Sequence, residues 1–221
     1  MTRRAPKCLA AFAMAAALLA GCGSTDPWTE PRTGPVAVGT PGAGFFPSDT
    51  PSPESVVSAS PGSWDSIAPT PGYRVALLTD GDSAPTRALA DAVTAWAKAH
   101  RADVKTVRAA DHADHASAVA RAVDLTPELV ISAGPDLVDA LALVTASHLD
   151  VQFLLLGSEL PEPTRNVTAV DWPGATFRGE GFDSASTFDP DSFTPHRCGE
   201  AVEVGVAAVL GGHTGYVFRI A

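Results

Sequence analysis

The apolar positions of this chain fall into two regimes that meet near Gly72. Downstream, short unbroken apolar runs alternate with longer stretches of helical period. The first run, 75–78 within 73–82 (YRVALLTDGD), lies between Pro71-Gly72 and Gly81 and shows no polar alternation. That is the pattern of a strand buried on both faces of a parallel sheet. Over 84–100, Leu89, Val93, Trp96 and Ala97 fall on one stripe, which predicts a helix. Further strands are expected at 103–108 (DVKTVR), 129–132 (LVIS), 151–156 (VQFLLL), 166–170 (NVTAV) and, at the terminus, 216–220 (YVFRI). Helices are expected at 111–123, 136–147 and 200–210, with Asp111 suited to an N-cap and Pro135 to a first turn. Strands and helices in this alternation predict an α/β domain over 73–221, an open parallel sheet with helices on both faces.

Upstream, the pattern is different. Arg3, Arg4 and Lys7 precede an uncharged apolar run from 8 to 19, and Leu19-Ala20-Gly21-Cys22 follows. A basic start, a short apolar stretch and small residues before a cleavage point describe a secretory signal peptide over 1–21. The Leu-Ala-Gly-Cys ending resembles the lipobox of bacterial lipoproteins, which implies lipidation at Cys22 and an extracytoplasmic, lipid-anchored protein on the outer face of the cell membrane. From 22 to 72, proline recurs at 27, 31, 35, 41, 47, 51, 53, 61, 69 and 71 among Gly, Ser and Thr, so this stretch is expected to be a disordered tether. Loss of residues 1–21 would carry the formal charge from −10 to −13, which disfavours nucleic acid as a partner. Cys198 would then be the only thiol besides the lipidated one, too few for a disulfide framework, and burial against a helix start is its expected role.

Several segments together resemble the basic membrane protein family, lipoproteins similar to type I periplasmic binding proteins that serve ABC importers as nucleoside receptors. They are 75–81 (VALLTDG), 128–134 (ELVISAG), 153–157 (FLLLG) and 166–170 (NVTAV). The resemblance implies a sheet of order 2-1-3-4-5 and a ligand crevice at the carboxyl ends of the strands. It also implies an ABC permease as partner. The sequence departs from the family at 80–86 (DGDSAPT), which lacks the aromatic and amide side chains that family members place on the nucleoside. The folded part also matches one lobe of a two-lobed protein, so a second surface, for instance that of a homodimer, is expected to complete the pocket.

Candidate ligand groups follow from the strand ends: Thr79, Asp80, Asp82 and Ser83 after the first strand, Ser132 and Asp136 at the third, Ser158 at the fourth, Asp171 and Trp172 at the fifth. Carboxylates suit ribose hydroxyls, serine and helix-start amides suit an oxygen, and Trp172 suits stacking. Equally, Asp and Ser serve as caps in any α/β fold. His112 and His115 have a spacing that can share a metal, and Asp183, Asp189 and Asp191 lie in an acidic loop. Neither reaches a recognised metal motif, so no metal or other cofactor is expected. A response-regulator receiver, which needs an aspartate ending the third strand and a lysine ending the fifth, is excluded by Ser132-Ala133-Gly134 and Asp171-Trp172. No nucleophile turn, paired-cysteine metal motif or phosphate loop is present, so binding is favoured over catalysis. The other class left open is a structural or protein-interaction lipoprotein of the cell envelope built on the same scaffold without its ligand.

Overall fold

The computed structural model describes residues 26, 28, 36–52, 55–179 and 187–221. The chain divides into a unit over Met1–Pro31 and a unit over Arg32–Ala221, and the fold described below is that of the second. The expected signal peptide over 1–21 and the expected lipidation site Cys22 lie outside the described residues. Among the described residues, no helix is long and apolar enough to cross a membrane.

The elements are β1 (Ala37–Gly39), β2 (Val56–Val57), β3 (Ile67–Pro69), β4 (Arg74–Asp80), α1 (Ala84–His100), β5 (Asp103–Ala109), α2 (His115–Asp124), β6 (Leu129–Ala133), α3 (Val138–Val144), β7 (Phe153–Leu156), β8 (Val167–Asp171), α4 (Pro195–Leu210) and β9 (Val217–Arg219). Seven strands form one sheet in the order β2-β9-β8-β7-β6-β4-β5, every pairing parallel. Counted from β4, the first five strands of the domain take the order 2-1-3-4-5 that the resemblance implies. The terminal strand β9 extends it by pairing with β8.

Period two along each strand divides the core. Val75, Leu77, Ile131, Leu154, Leu156 and Val170 face α1 and α4. Ala76, Leu78, Val130, Phe153, Leu155 and Ala169 face α2 and α3. Because both faces are covered, the strands read as continuous apolar runs rather than alternating ones. Helix α1 begins where Ser83 Oγ accepts from the Thr86 N–H at 3.2 Å, with Pro85 in the first turn, and it stops at Arg101 in the left-handed region (φ 55°). Helix α4 can lie close to the sheet because Gly205 faces it. A Cβ there would sit 2.5 Å from Leu154 Cδ1.

The domain starts earlier than the pattern of apolar positions predicts. Within the expected tether, β1 and β3 pair as an antiparallel ribbon, and β2 adds to the sheet edge parallel to β9. Phe45 is 1% exposed and stacks on Phe218 at 5.3 Å, while Phe46 stacks on His213 at 4.3 Å and meets Tyr216 edge-on. The described residues of 36–72 therefore form a strap across β9. Their proline content limits regular structure, but Phe45, Val57 and Ile67 supply the buried anchors that the composition obscured.

Helix boundaries also shift. The second helix opens as a 3-10 turn, His112–Asp114, capped by Asp111, before α2 proper begins. Helix α3 has only seven residues and continues as a 3-10 turn over Thr145–Ser147, so the helix-start amides expected at 136 belong to a preceding turn. Helix α4 begins at Pro195 behind a Thr194 cap, a turn and more before the expected start.

Candidate functional site

Neighbouring strands β4 and β6 send their chains to opposite faces, β4 to α1 and β6 to α3. Their carboxyl ends part there, and a crevice opens at that point as it does in any doubly wound sheet. The hollow measures about 450 Å³ and is lined by Asp80, Ser83, His112, His115, Pro135, Asp136, Asp139, Phe177 and Phe188.

Its best-defined polar feature is a histidine–aspartate pair. His115 Nε2 lies 2.9 Å from Asp80 Oδ2, and the two side chains are 8% and 22% exposed. Asp80 can reach it because it shares the strand face of Ala76 and Leu78, on the side of α2. The start of α2 is itself fixed: Asp111 Oδ1 accepts from the Asp114 N–H at 3.2 Å, and Asp114 Oδ2 accepts from the Ala110 N–H at 2.9 Å. Arg121 then donates to both Asp114 oxygens at 2.8 Å. That guanidinium, followed by the Ala110 amide, holds the Asp114 carboxyl well below the usual carboxylate range. His112 completes the wall, its ring edge-on to His115 at 4.7 Å.

Across the hollow, Asp136 is pushed above the ordinary carboxylate value, first by partial desolvation and then by the charge of Asp80, while His115 acts in the opposite direction. Phe177 and Phe188 close the side formed by the long connection after β8. Backbone bridges Ser158 to Phe177 and Ala175 to Phe188 hold that connection over the sheet.

The same connection determines which of the expected residues are accessible. Asp80, Ser83 and Asp136 line the hollow together. Thr79 and Asp82 do not: alternation along β4 turns Thr79 to the α1 side, where a separate groove with Leu77, Asp82 and Arg108 lies. Ser132 is 1% exposed within the sheet, its hydroxyl without a hydrogen-bond partner in the structure. Ser158 is fully buried, 3.4 Å from the Gly134 carbonyl. Asp171 is fully buried and engaged by Arg219, whose Nε donates to Oδ1 at 2.9 Å and whose Nη2 donates to Oδ2. Trp172 has no exposed face for stacking. Its indole N–H donates to Ser192 Oγ at 2.9 Å, and its ring packs edge-on against Phe193. Over β7 and β8 the rim is thus closed by residues 172–179 and 187–194, with Arg178 donating to buried Glu159 at 2.6 Å.

The strand-end pattern singles out none of Asp139, Phe177 and Phe188, and His112 and His115 stand out only for a spacing that can share a metal. The only signal was the histidine pair at a helix start beside the first strand. Among the described residues, no group of three or more His, Cys, Asp and Glu could hold a metal ion. In the acidic loop, Asp183 lies outside the described residues and Asp189 caps its own turn, accepting from the Asp191 N–H at 3.1 Å. Cys198 is buried, and desolvation pushes its thiol up to about 11, the inert state of a packed cysteine. A larger hollow, about 650 Å³, lies at the amino ends of β7, β8 and β9 beside Gln152, Arg165 and Tyr216; none of the expected ligand residues lines it.

No family model matches this chain, and no curated protein matches it. Solved structures do. An ABC transporter solute-binding protein from Aeropyrum pernix K1 is 17% identical over 46% of this chain and 29% of its own, with a TM-score of 0.42. One from Conexibacter woesei DSM 14684 is 20% identical over 45% and 35%, with a TM-score of 0.38. A periplasmic ribose ABC transporter protein from the same organism is 17% identical over 68% and 55%, with a TM-score of 0.33. The chain thus spans 29% to 55% of the lengths of these proteins.

Proposed function

We propose that this protein is a non-catalytic, extracytoplasmic binding lipoprotein of the type I binding-protein class, anchored through Cys22, and that it holds a small polar ligand in the crevice between β4 and β6. The observation that carries the reading is the hollow itself. It is concave, lies where the strand order reverses, and gathers the Asp80–His115 pair, Ser83 and Asp136 opposite two phenylalanines. Membership of the basic membrane protein family, a nucleoside-like ligand and delivery to an ABC permease are the finer form of this reading. They are supported by the sequence segments at the strand ends and by the solute-binding proteins among the similar structures.

The reading is tested by thermal unfolding of the full-length protein with and without millimolar nucleosides, sugars and amines. A ligand at about a hundred times its dissociation constant adds about 2.7 kcal/mol to stability, a plainly visible shift in melting temperature. A cooperative melt that no compound moves would count against the binding reading. In the same preparations, Cys22→Ser should move the protein out of the membrane fraction, and unchanged membrane association would contradict lipid anchoring at that residue.

A second reading has its own support. The rim over β7 and β8 is filled by the chain, with Asp171, Trp172 and Glu159 committed to internal partners. An envelope-interaction protein that kept the scaffold and gave up half the rim would look like this, and it would melt unmoved by every small solute.

A further inference from the structure

The crevice has a charge and surface pattern that small-ligand binding alone does not require. Asp80, Asp136 and Asp139 line it, and among the described lining residues there is no lysine or arginine. The guanidinium nearest in sequence to that wall, Arg178, donates to Glu159 at 2.6 Å, and the one on α2, Arg121, donates to Asp114. His115, the cation-capable group in contact with a lining carboxylate, is held on Asp80 at 2.9 Å. Two phenyl rings share the hollow with these carboxylates. One of them, Phe188, is 47% exposed at its lip, so its ring face is open to the hollow's mouth.

Each class of ligand fares differently here. An anion would meet three carboxylates, with no lysine or arginine among the described lining residues and His115 already held on Asp80. A neutral sugar or nucleoside would gain hydrogen bonds but leave the carboxylate charges crowding one another; the proton affinity of Asp136 is already raised, first by partial desolvation and second by the charge of Asp80. An organic cation relieves that crowding, and its positive group or adjoining methylenes can lie against an aromatic face. We infer that the crevice selects a small organic cation, an alkylammonium or quaternary ammonium compound held between the Asp80 and Asp136 carboxylates and the Phe177 and Phe188 rings. This rests on the reading of the crevice as a ligand site and puts an organic cation in place of the nucleoside-like ligand.

Isothermal titration of the full-length protein with three sets of probes tests it: choline, putrescine and spermidine; adenosine, uridine and ribose; adenosine monophosphate and citrate. The expected result is binding of at least one cation and of none of the neutral or anionic compounds, weakened by added sodium chloride. Asp136→Asn should weaken that binding by about tenfold through loss of a close opposite charge, and Phe188→Ala by about threefold through loss of an exposed cation–π contact. Both positions are at the surface, and an unliganded melting temperature close to the parent's confirms that the variants are folded. Binding of a neutral nucleoside as tight as that of the cations would overturn the charge selectivity while leaving the crevice a ligand site. Cation binding untouched by both substitutions would place the contact elsewhere and overturn the assignment. Absence of heat with every probe would overturn both readings together.

Discussion

At the scale of single residues, the carboxylates of this domain divide by environment. Asp171 is fully buried and depends on Arg219, which reaches it from the adjacent strand and is itself 40% exposed. Removing one partner of such a pair leaves an uncompensated buried charge, whereas neutralising both does not. Arg219→Ala should therefore cost about 3 kcal/mol in urea unfolding, and the double variant Asp171→Asn, Arg219→Gln should recover most of that loss. Equal losses for the single and double variants would contradict the account. Asp136 behaves in the opposite sense. Its carboxyl is raised above the ordinary value, so the folded state binds the proton more tightly than the unfolded chain. Its contribution to stability falls as pH rises through the window between the unfolded and folded values. Asp136→Asn removes that slope, so the variant should gain on the parent as pH rises through and above the usual carboxylate range. A stability difference that stays flat across that range would show that Asp136 titrates as a free surface group.

At the scale of elements, the periodic segments were readable and the aperiodic ones were not. Helix α1 spans the residues that its apolar stripe predicts, and each long apolar run became a sheet strand within a residue or two. Residues 36–72 escaped because their anchors are isolated: a two-residue edge strand at Val56–Val57 and the Phe45-Phe46 pair have no period to detect, and proline dominates the composition around them. If the strap belongs to the fold, Phe45→Ala should destabilise the domain by about 3 kcal/mol, the cost of emptying a buried aromatic site. A melting temperature unchanged by that substitution would return the segment to the tether. The candidate site was partly readable for a related reason. Strand-end position identified Asp80, Ser83 and Asp136, but nothing in the pattern indicates which way the long connection after Trp172 folds. Its path seals Ser158, Asp171 and Trp172 and brings in Phe177 and Phe188. Gly157, at φ 70°, permits that path, since a Cβ there would meet Phe193 at 2.6 Å.

At the scale of the whole domain, a parallel sheet with two helices on each face leaves its polar opening where β4 and β6 diverge. The strap reinforces the far edge at β9, and the connection after β8 closes the rim between. Between the carboxyl ends of β4 and β6 lies an open crevice with an acidic lining and an aromatic lip. The central claim, that this crevice holds the ligand, is tested most directly by amide chemical-shift mapping of the isotopically labelled protein titrated with whichever compound raises its melting temperature. The account predicts concerted shifts confined to Asp80, Ser83, His112, His115, Asp136 and their neighbours. Shifts centred instead on Gln152, Arg165 and Tyr216, at the opposite end of the strands, would contradict it.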